Sequence, residues 1–400
     1  MTFKIGMISL GCPKNQVDAE VMLKKLSDAG FAITPDEREA DAIIVNTCGF
    51  IEEAKNEAIE NIIEAAKFKA DGKLRALIVT GCLAERYRDE ISREIPEVDV
   101  VVGIGKNGDI VSIVKEALQE HFQNTYAEKE ALALKAEERT LTTPPYTAYL
   151  KIAEGCDNCC TFCAIPLIRG HFRSKAYDDC IKEAEMLADS GVTELVLVAQ
   201  DTTRYGEDLC GKSLLPQLLK DLAKIPGLHW IRTLYTYPER ITDELLAVLR
   251  DEEKVVPYLD IPIQHCNGEI LSRMNRSGDE KTLCALMEKI RRTVPNVTLR
   301  TTLLCGFPGE TDEQFSELAE FVKKVRFDRL GCFAYSEEED TPAADFKDQV
   351  DRQTREDRAE NIMNEQLLIV DEKNRQKIGK TFEVLIEGYD NYIRCYFGRS

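Results

Sequence analysis

Three cysteines near the middle of the chain are spaced to hold an iron–sulfur cluster. Cys156, Cys160 and Cys163 form a Cys-x3-Cys-x2-Cys set. This spacing closes a tight loop whose thiolates can hold three corners of a four-iron cube. Because the set supplies no fourth ligand, one iron stays open to another molecule. An open iron allows a cluster to act chemically on a bound ligand rather than only to pass electrons.

The same residues also contain zinc-like spacing. Cys156 and Cys159 are separated by two residues, and so are Cys160 and Cys163, as in zinc knuckles. However, the adjacent cysteines 159 and 160 fit a single tetrahedral ion poorly, and no second Cys or His pair follows closely. The spacing therefore favours the cluster over zinc, with Cys159 as an extra cysteine that binds no metal.

Three further cysteines are scattered in sequence but occupy equivalent positions. Cys12, Cys48 and Cys82 each lie just past the carboxyl end of a predicted strand, beside glycines 11, 49 and 81. In a parallel sheet these strand ends share one edge, where ligands bind, and glycine allows the backbone to approach a bulky group. The alternative is that all three are small buried residues, the usual fate of a free cysteine. Their shared position favours a second set of ligands.

Composition narrows the class of protein. The 400 residues are 44% hydrophobic and 31% charged, enough for two or three globular domains. No apolar run approaches the length of a membrane span, and no signal peptide precedes the first strand. Fourteen cysteines without a secretory signal indicate a reducing compartment. We therefore expect a cytoplasmic protein without a membrane partner.

The charge balance bears on the kind of partner. The chain has 52 basic and 71 acidic residues, a net charge of −19. Proteins that grip a phosphate backbone usually have a basic excess or a basic patch, and here only residues 169–175, beside the cluster loop, form a small basic island. The balance argues against DNA and weakly favours a basic protein over nucleic acid.

Alternating strand and helix patterns must position both cysteine sets. Apolar runs at 4–10, 42–46, 76–80 and 98–102 alternate with helical patterns, which predicts an amino-terminal parallel α/β sheet. Six further strands are predicted at 148–153, 194–199, 230–235, 259–263, 298–304 and 329–334. Six β/α units fit a partial barrel, and the cluster loop follows the first strand, at the face where barrels place their chemistry. The fold class is thus α/β.

These patterns divide the chain into four parts. Residues 1–122 form the α/β domain, and 123–145, rich in Glu, Lys and Ala, form a linker that can include a helical stretch. Residues 146–376 form the partial (β/α)6 barrel, which ends in a long charged helix from 351 to 376. Residues 377–400 form two alternating strands. Because two strands rarely make a stable domain, we expect them to begin a small β-barrel that is incomplete here.

The motifs resemble a known family. Glu154-Gly155-Cys156 and the cysteine spacing resemble radical S-adenosylmethionine enzymes. Together with the three-cysteine amino-terminal domain and the carboxyl-terminal β segment, the whole chain resembles the methylthiotransferases. The run 9–15, Ser-Leu-Gly-Cys-Pro-Lys-Asn, looks like the RimO branch, whereas the tRNA-modifying branch typically has Gln-Met-Asn after that glycine and cysteine. Residues 165–170 and 199–206 also look RimO-like, and the incomplete β segment resembles the family's TRAM barrel.

The resemblance implies cofactors and residue roles. It implies two 4Fe-4S clusters, one at each cysteine set, and S-adenosylmethionine as the second cofactor. Phe162 would lie beside the adenine, and Gln200 and Asp201 would bind the methionine amino group. Arg300 and His265, at or near barrel strands, either reach cofactor or substrate or have structural roles. Arg300 is the one of the two that we count among the cofactor-binding candidates.

The resemblance also implies a reaction. The reduced barrel cluster would split S-adenosylmethionine into methionine and a 5′-deoxyadenosyl radical, which abstracts a hydrogen from an aspartate β-carbon of a small-subunit ribosomal protein. Sulfur held at the second cluster would bond to that carbon, and a second S-adenosylmethionine would supply the methyl group. The sulfur and electron donors stay open. The alternatives are a tRNA adenosine methylthiotransferase and, more distantly, a non-catalytic iron–sulfur carrier, which would need no substrate chamber.

One further motif is weaker. Residues 103–108, Gly-Ile-Gly-Lys-Asn-Gly, match the dinucleotide fingerprint after a strand. They follow the fourth strand rather than the first, and no acidic ribose partner ends a strand about twenty residues later. A plain strand-to-helix turn is the favoured interpretation.

Overall fold

A parallel sheet forms the first part of the protein, whose computed structural model describes residues 2–70 and 73–400. Its strands are β1 (Lys4–Ser9), β2 (Ala32–Ile33), β3 (Ala42–Thr47), β4 (Ala76–Gly81) and β5 (Val100–Val101). All pairings are parallel, in the order β2-β1-β3-β4-β5. The helices around the sheet are α1 (Pro13–Asp28), α2 (Glu52–Ala70), α3 (Cys82–Tyr87), α4 (Asp89–Glu94) and α5 (Ile110–Ala117).

The two central strands are apolar because both faces of the sheet are covered. Every residue of β3 and β4 is buried, as expected for a parallel sheet between two helical layers. Ile44 pairs with Ile78 and packs toward α1 and α5, whereas Ile43 and Leu77 pack toward α2 and α3. The strand order places the carboxyl ends of β1, β3 and β4 side by side.

A partial barrel forms the second part and confirms the predicted fold class. Its strands are β6 (Thr147–Lys151), β7 (Ala153–Glu154), β8 (Arg173–Ser174), β9 (Glu194–Val198), β10 (Trp230–Thr233), β11 (Tyr258–Asp260), β12 (Thr298–Cys305) and β13 (Arg329–Ala334). Two parallel three-stranded sheets, β6-β9-β10 and β11-β12-β13, share a seam where Thr236 N donates to Asp260 O at 2.8 Å. The short strands β7 and β8 pair antiparallel and flank the cysteine loop.

Helices cover the outside of the barrel. They are α6 (Ile165–Arg169), α7 (Tyr177–Asp189), α8 (Glu207–Cys210), α9 (Leu215–Leu222), α10 (Asp243–Asp251), α11 (Gly268–Arg273), α12 (Glu280–Thr293), α13 (Asp312–Val325) and α14 (Arg352–Arg375). The long helix α14 lies against β13, and Gln366 Nε2 donates to Phe327 O at 3.0 Å. Within the described ranges, no helix is both long and apolar enough to pass through a lipid bilayer.

The segment 123–145 packs between the amino-terminal sheet domain and the barrel. Its helical content is one short 3-10 turn at Lys129–Ala131. Arg139, almost fully buried, pairs with Glu20 of α1 at 3.2 Å and with Glu183 of α7 at 3.3 Å. Because Arg139 pairs with both the sheet domain and the barrel, the segment forms part of the interface between them.

A second set of ion pairs joins the two parts on another side. Glu338 accepts from Arg86 at 2.7 Å and lies 3.0 Å from the Lys55 ammonium. Burial opposes ionisation of Glu338, but hydrogen bonds from Ser336, Arg86 and Lys55 outweigh it, so the pKa of this carboxyl is lowered. Glu338 is therefore charged in the folded protein.

The chain ends in a hairpin of β14 (Leu385–Asp390) and β15 (Cys395–Arg399). Just before β14, Glu383 pairs with His229 at 2.9 Å. Arg399 pairs with Glu194 of β9 at 2.6 Å and anchors the hairpin.

Candidate cluster-binding sites

The first cysteine set lies at the carboxyl edge of the amino-terminal sheet. Cys12 is the N-cap residue of α1, Cys48 follows β3 directly, and Cys82 is the first residue of α3. Gly11 has φ +92°, and a Cβ there would lie 2.9 Å from Cys48 Cβ. Glycine at this position therefore allows two of the strand ends to approach each other closely.

The three thiols of this edge are electrostatically coupled. Burial, together with the charges of Cys82 and Cys12, raises the pKa of Cys48 to about 11. Burial also raises the pKa of Cys82, whereas at Cys12 the charges of Lys14 and Arg169 outweigh burial and lower the pKa. Neighbouring thiolates that repel one another are stabilised by binding positively charged iron. The donor set therefore fits a metal cluster.

Asn15 fixes the shape of this edge. Its side-chain Nδ2 donates to Thr47 O at 2.8 Å. Its backbone carbonyl oxygen accepts from Asn46 Nδ2, also at 2.8 Å. The Asn15 Oδ1 atom accepts from the Arg169 guanidinium and lies 3.5 Å from Cys82 Sγ. The amide thus ties the start of α1 to β3, and so brings Cys12 beside the end of the neighbouring strand.

The second cysteine set lies in the loop after β7. Cys156 N donates to Gly170 O at 3.1 Å, and Cys163 N donates to Cys160 O at 3.0 Å, which closes the loop. Burial raises the pKa of Cys156 to about 11 and also raises that of Cys163, and the neighbouring thiols add to both shifts. Cys159 is exposed and has φ +50°, whereas the other three cysteines of the loop are half-buried.

Cys160 has two polar neighbours from other barrel elements. Tyr237 Oη lies 3.3 Å from Cys160 Sγ, and Arg276 Nη1 donates to the same sulfur at 3.7 Å. The Arg276 guanidinium also lies 4.2 Å from the centre of the Tyr237 ring. No local sequence signal marks either residue, because both reach the loop only through the closure of the barrel.

A four-iron cube and a single zinc ion place different demands on their cysteine ligands. In the part of the chain that the structure describes, no three His, Cys, Asp or Glu side chains converge on one metal position. A zinc ion draws all its ligands to one centre about 2.3 Å from each sulfur, whereas each ligand of a four-iron cube binds a different iron. The Cys-x3-Cys-x2-Cys spacing of Cys156, Cys160 and Cys163 therefore remains the feature that favours a cluster at the second set.

The predicted cofactor residues Gln200 and Asp201 both lie beside the cysteine loop. Gln200 Nε2 donates to Glu154 Oε1 at 2.9 Å. Asp201 is fully buried, and its carboxylate accepts from Asn158 Nδ2 at 3.0 Å and from Thr203 Oγ1 at 2.5 Å. Asn158 is part of the loop, so Asp201 restrains the loop from the end of β9.

The other three candidates lie in different surroundings. Phe162 packs partly buried against the barrel core within the cysteine loop. Arg300 of β12 pairs with Asp260 at 2.5 Å and keeps about a third of its side chain exposed, 35%. His265 is fully buried, with Nε2 at 3.4 Å from Glu310 Oε2. Burial of His265 against Glu310 gives it a structural environment.

A buried network of charged groups joins the two cysteine sets. Arg169 Nη1 donates to Asp18 at 2.8 Å and to Glu154 at 3.0 Å, and Nη2 donates to Cys82 Sγ at 3.4 Å. Lys151 contacts the same two carboxylates, with Glu154 at 2.9 Å. Burial opposes the charge on Glu154, but Arg169 and Lys151 outweigh it and lower its pKa. Sequence reasoning missed this network, although Arg169 lies in the basic island and Glu154 in the motif before Cys156.

The glycine-rich turn at 103–108 packs against other segments of the same chain. It forms a 3-10 helix, Ile104–Asp109, whose first N–H donates to Glu85 Oε2 at 2.8 Å. A Cβ on Gly105 would lie 2.3 Å from Glu128 O. The close approach that glycine permits thus serves packing against the segment 123–145, in agreement with a plain turn.

Comparison with known proteins agrees with this arrangement. Residues 150–322 match the Radical SAM superfamily, and residues 4–103 match a family described as uncharacterized protein family UPF0004. The fold is similar to that of the radical S-adenosylmethionine methyltransferase TsrM from Kitasatospora setae with cobalamin and a [4Fe-4S] cluster bound. The TM-score is 0.61 at 14% identity, covering 83% of this chain and 75% of that one. The barrel and its cysteine loop define a radical S-adenosylmethionine enzyme, which binds an iron–sulfur cluster and S-adenosylmethionine.

Closer relatives define the family. The ribosomal protein uS12 methylthiotransferase RimO of Clostridioides difficile is 50% identical over 96% of this chain and 86% of the relative. The protein of the same name from Geotalea uraniireducens is 49% identical over 99% of this chain and 89% of the relative. The chain belongs to the RimO family and is a radical S-adenosylmethionine methylthiotransferase. The resemblance found in the motifs is thereby confirmed.

Proposed function

We propose that this enzyme methylthiolates the β-carbon of an aspartate in ribosomal protein uS12 with the help of two four-iron clusters. One cluster would be held by Cys156, Cys160 and Cys163, and the other by the amino-terminal set, Cys12, Cys48 and Cys82. The relatives named above are uS12 methylthiotransferases, which supports the substrate.

The observation that carries the proposal is the single buried network between the two cysteine sets. Cys82 contacts Arg169, and Arg169 contacts Glu154, two residues before Cys156. A carrier that only stores or passes on clusters does not need a buried network that connects two cysteine sets from different domains. Two sets joined by one buried network suit a reaction in which a radical made at one site meets sulfur held at the other.

The chain's own residues would position the reactants. When bound, the two clusters would supply the electron that cleaves S-adenosylmethionine and the sulfur that is transferred. Asp201 would keep Asn158 and the cysteine loop in place, and Gln200 would contact the methionine end of the cofactor. Phe162 and Arg300 would contact the rest of the cofactor from the loop and from β12. The full burial of Asp201 at the end of β9 would help to exclude water from a reactive radical.

The charge of the protein suits a basic protein substrate. A net charge of −19 produces a long-range field that favours approach of a basic surface and slows approach of a polyphosphate. This supports uS12 over tRNA as the substrate, because tRNA carries a negative charge at every nucleotide.

A product analysis tests the proposal. Reduced enzyme with reconstituted clusters, S-adenosylmethionine and sulfide is incubated with uS12, and in parallel with tRNA. We expect mass spectrometry to locate a methylthio group on one aspartate of uS12, while nucleoside analysis of the tRNA finds no change. The variant C156A/C160A/C163A is the matched control and should give no product. Methylthioadenosine in the tRNA digest, with unmodified uS12, would overturn the assignment.

A further inference from the structure

Arg169 contacts both halves of the protein from a buried position. Its side chain is 2% exposed, and it ends α6, the helix that follows the cysteine loop. One nitrogen, Nη2, donates to Cys82 Sγ at 3.4 Å and to Asn15 Oδ1. The other, Nη1, donates to Asp18 at 2.8 Å and to Glu154 at 3.0 Å. Arg169 therefore links the amino-terminal cysteine set to the segment that leads into Cys156.

The buried groups around Arg169 carry more positive than negative charge before any thiolate is counted. Arg169, Lys151 and Lys14 supply three positive charges, and Asp18 and Glu154 supply two negative charges. A planar guanidinium can serve acceptors in several directions at once, whereas an ammonium is a single point charge. Loss of the guanidinium would remove the cation that contacts Cys82 and would leave Lys151 to pair with both Asp18 and Glu154.

A second arginine, Arg276, donates to a sulfur of the barrel set in a similar way, and the two arginines differ in which domain their partners belong to. Arg276 donates to Cys160 Sγ at 3.7 Å, but its Nη2 donates to Pro262 O at 2.7 Å, and both partners belong to the barrel. Arg169 also comes from the barrel, yet the sulfur that it contacts belongs to the other domain. Its hydrogen bonds thus depend on how the two domains are packed.

We propose that Arg169 is a positioning residue that raises the reduction potential of the cluster at Cys12, Cys48 and Cys82 and holds that cluster against the barrel site. The inference rests on the proposed second cluster. Reduction adds negative charge to a cluster, and a nearby cation that donates to a ligand sulfur stabilises that added charge. Because the same guanidinium binds Glu154, the donor at Cys82 is present only when the domains are correctly docked.

The test measures a potential in the full-length chain. The variant C156A/C160A/C163A isolates the amino-terminal cluster, whose potential is read by electron paramagnetic resonance during an anaerobic redox titration. In this background, R169M should shift the potential to a more negative value. R169K keeps the positive charge but loses the planar guanidinium, so its potential should lie between those of R169M and the parent variant. The matched control is R139M, because Arg139 is an equally buried arginine between the domains that contacts Glu20 and Glu183 instead of a cysteine.

The outcomes separate this inference from the proposed function. If the parent variant binds no iron, the second cluster itself is wrong. If iron is bound but R169M has the parent's potential, or R139M shifts the potential equally, the role of Arg169 is overturned. Should R169M fail to fold, R169K decides, because a single ammonium cannot serve Cys82, Asn15 and both carboxylates. An unchanged potential in R169K would then overturn the inference.

Discussion

Replacing Cys12, Cys48 and Cys82 by alanine should remove half of the iron from the enzyme. Each cysteine set supplies three ligands, and if each set holds one four-iron cube the intact protein carries about eight irons per chain. The triple variant should therefore retain about four. The remaining cluster should still support reductive cleavage of S-adenosylmethionine, because the loop of Cys156, Cys160 and Cys163 is closed by hydrogen bonds of its own domain.

The variant should remain folded. Each substitution removes one sulfur from a buried or half-buried position, at a cost of about 1 kcal/mol, or about 3 kcal/mol in all, against a typical stability of about 5–15 kcal/mol. Arg169 loses Cys82 as an acceptor but keeps Asn15, Asp18 and Glu154. No buried charge is left without a partner there, so the loss of iron would reflect the loss of ligands.

The assay is iron and sulfide analysis of anaerobically reconstituted protein, together with the yield of 5′-deoxyadenosine from S-adenosylmethionine. The matched control replaces three exposed cysteines, Cys159, Cys210 and Cys395, and should keep all of the iron. Iron content that is the same in the triad variant and in this control would refute the assignment of the second cluster. Loss of 5′-deoxyadenosine along with half of the iron would refute the independence of the two sites.

Two further predictions concern the framework around the sites. G81A should destabilise the protein by about 3 kcal/mol in urea denaturation, because Gly81 has φ +93° and a Cβ would lie 2.4 Å from Thr47 O. G30A has a similar φ of +88° but open space around it, so it should cost about 1 kcal/mol, and equal losses would contradict the steric reasoning. E338Q should lower Tm at pH 7, because the lowered pKa of Glu338 makes its pairing with Arg86 a source of stability above the usual carboxyl pKa of about 4.3. The Tm difference from wild type should shrink as the pH falls below the usual carboxyl pKa and through the lowered folded-state pKa, and a difference that is independent of pH would contradict this origin.

Much of the fold is predictable from local patterns. Alternating apolar runs and helical periods place most strands of both sheets within a few residues of their observed ends, since burial on two covered faces demands continuous apolar stretches. The pattern is less informative at breaks. The helical pattern of residues 85–94 predicts a single helix. In the structure, Arg88 has φ +42° and separates α3 from α4. The short strands β7 and β8 are too brief to leave a pattern.

The sequence by itself predicted both cysteine sets, because cysteine spacing in a loop and cysteines at equivalent strand ends are local properties of the chain. Only the tertiary structure decided what surrounds them. Arg169, Cys82 and Asp18 are far apart in sequence, and the acceptors that a long side chain reaches depend on how two domains pack. Their hydrogen bonds form because the buried interface excludes water, so each charged group must find a protein partner. No periodicity or motif encodes that pairing.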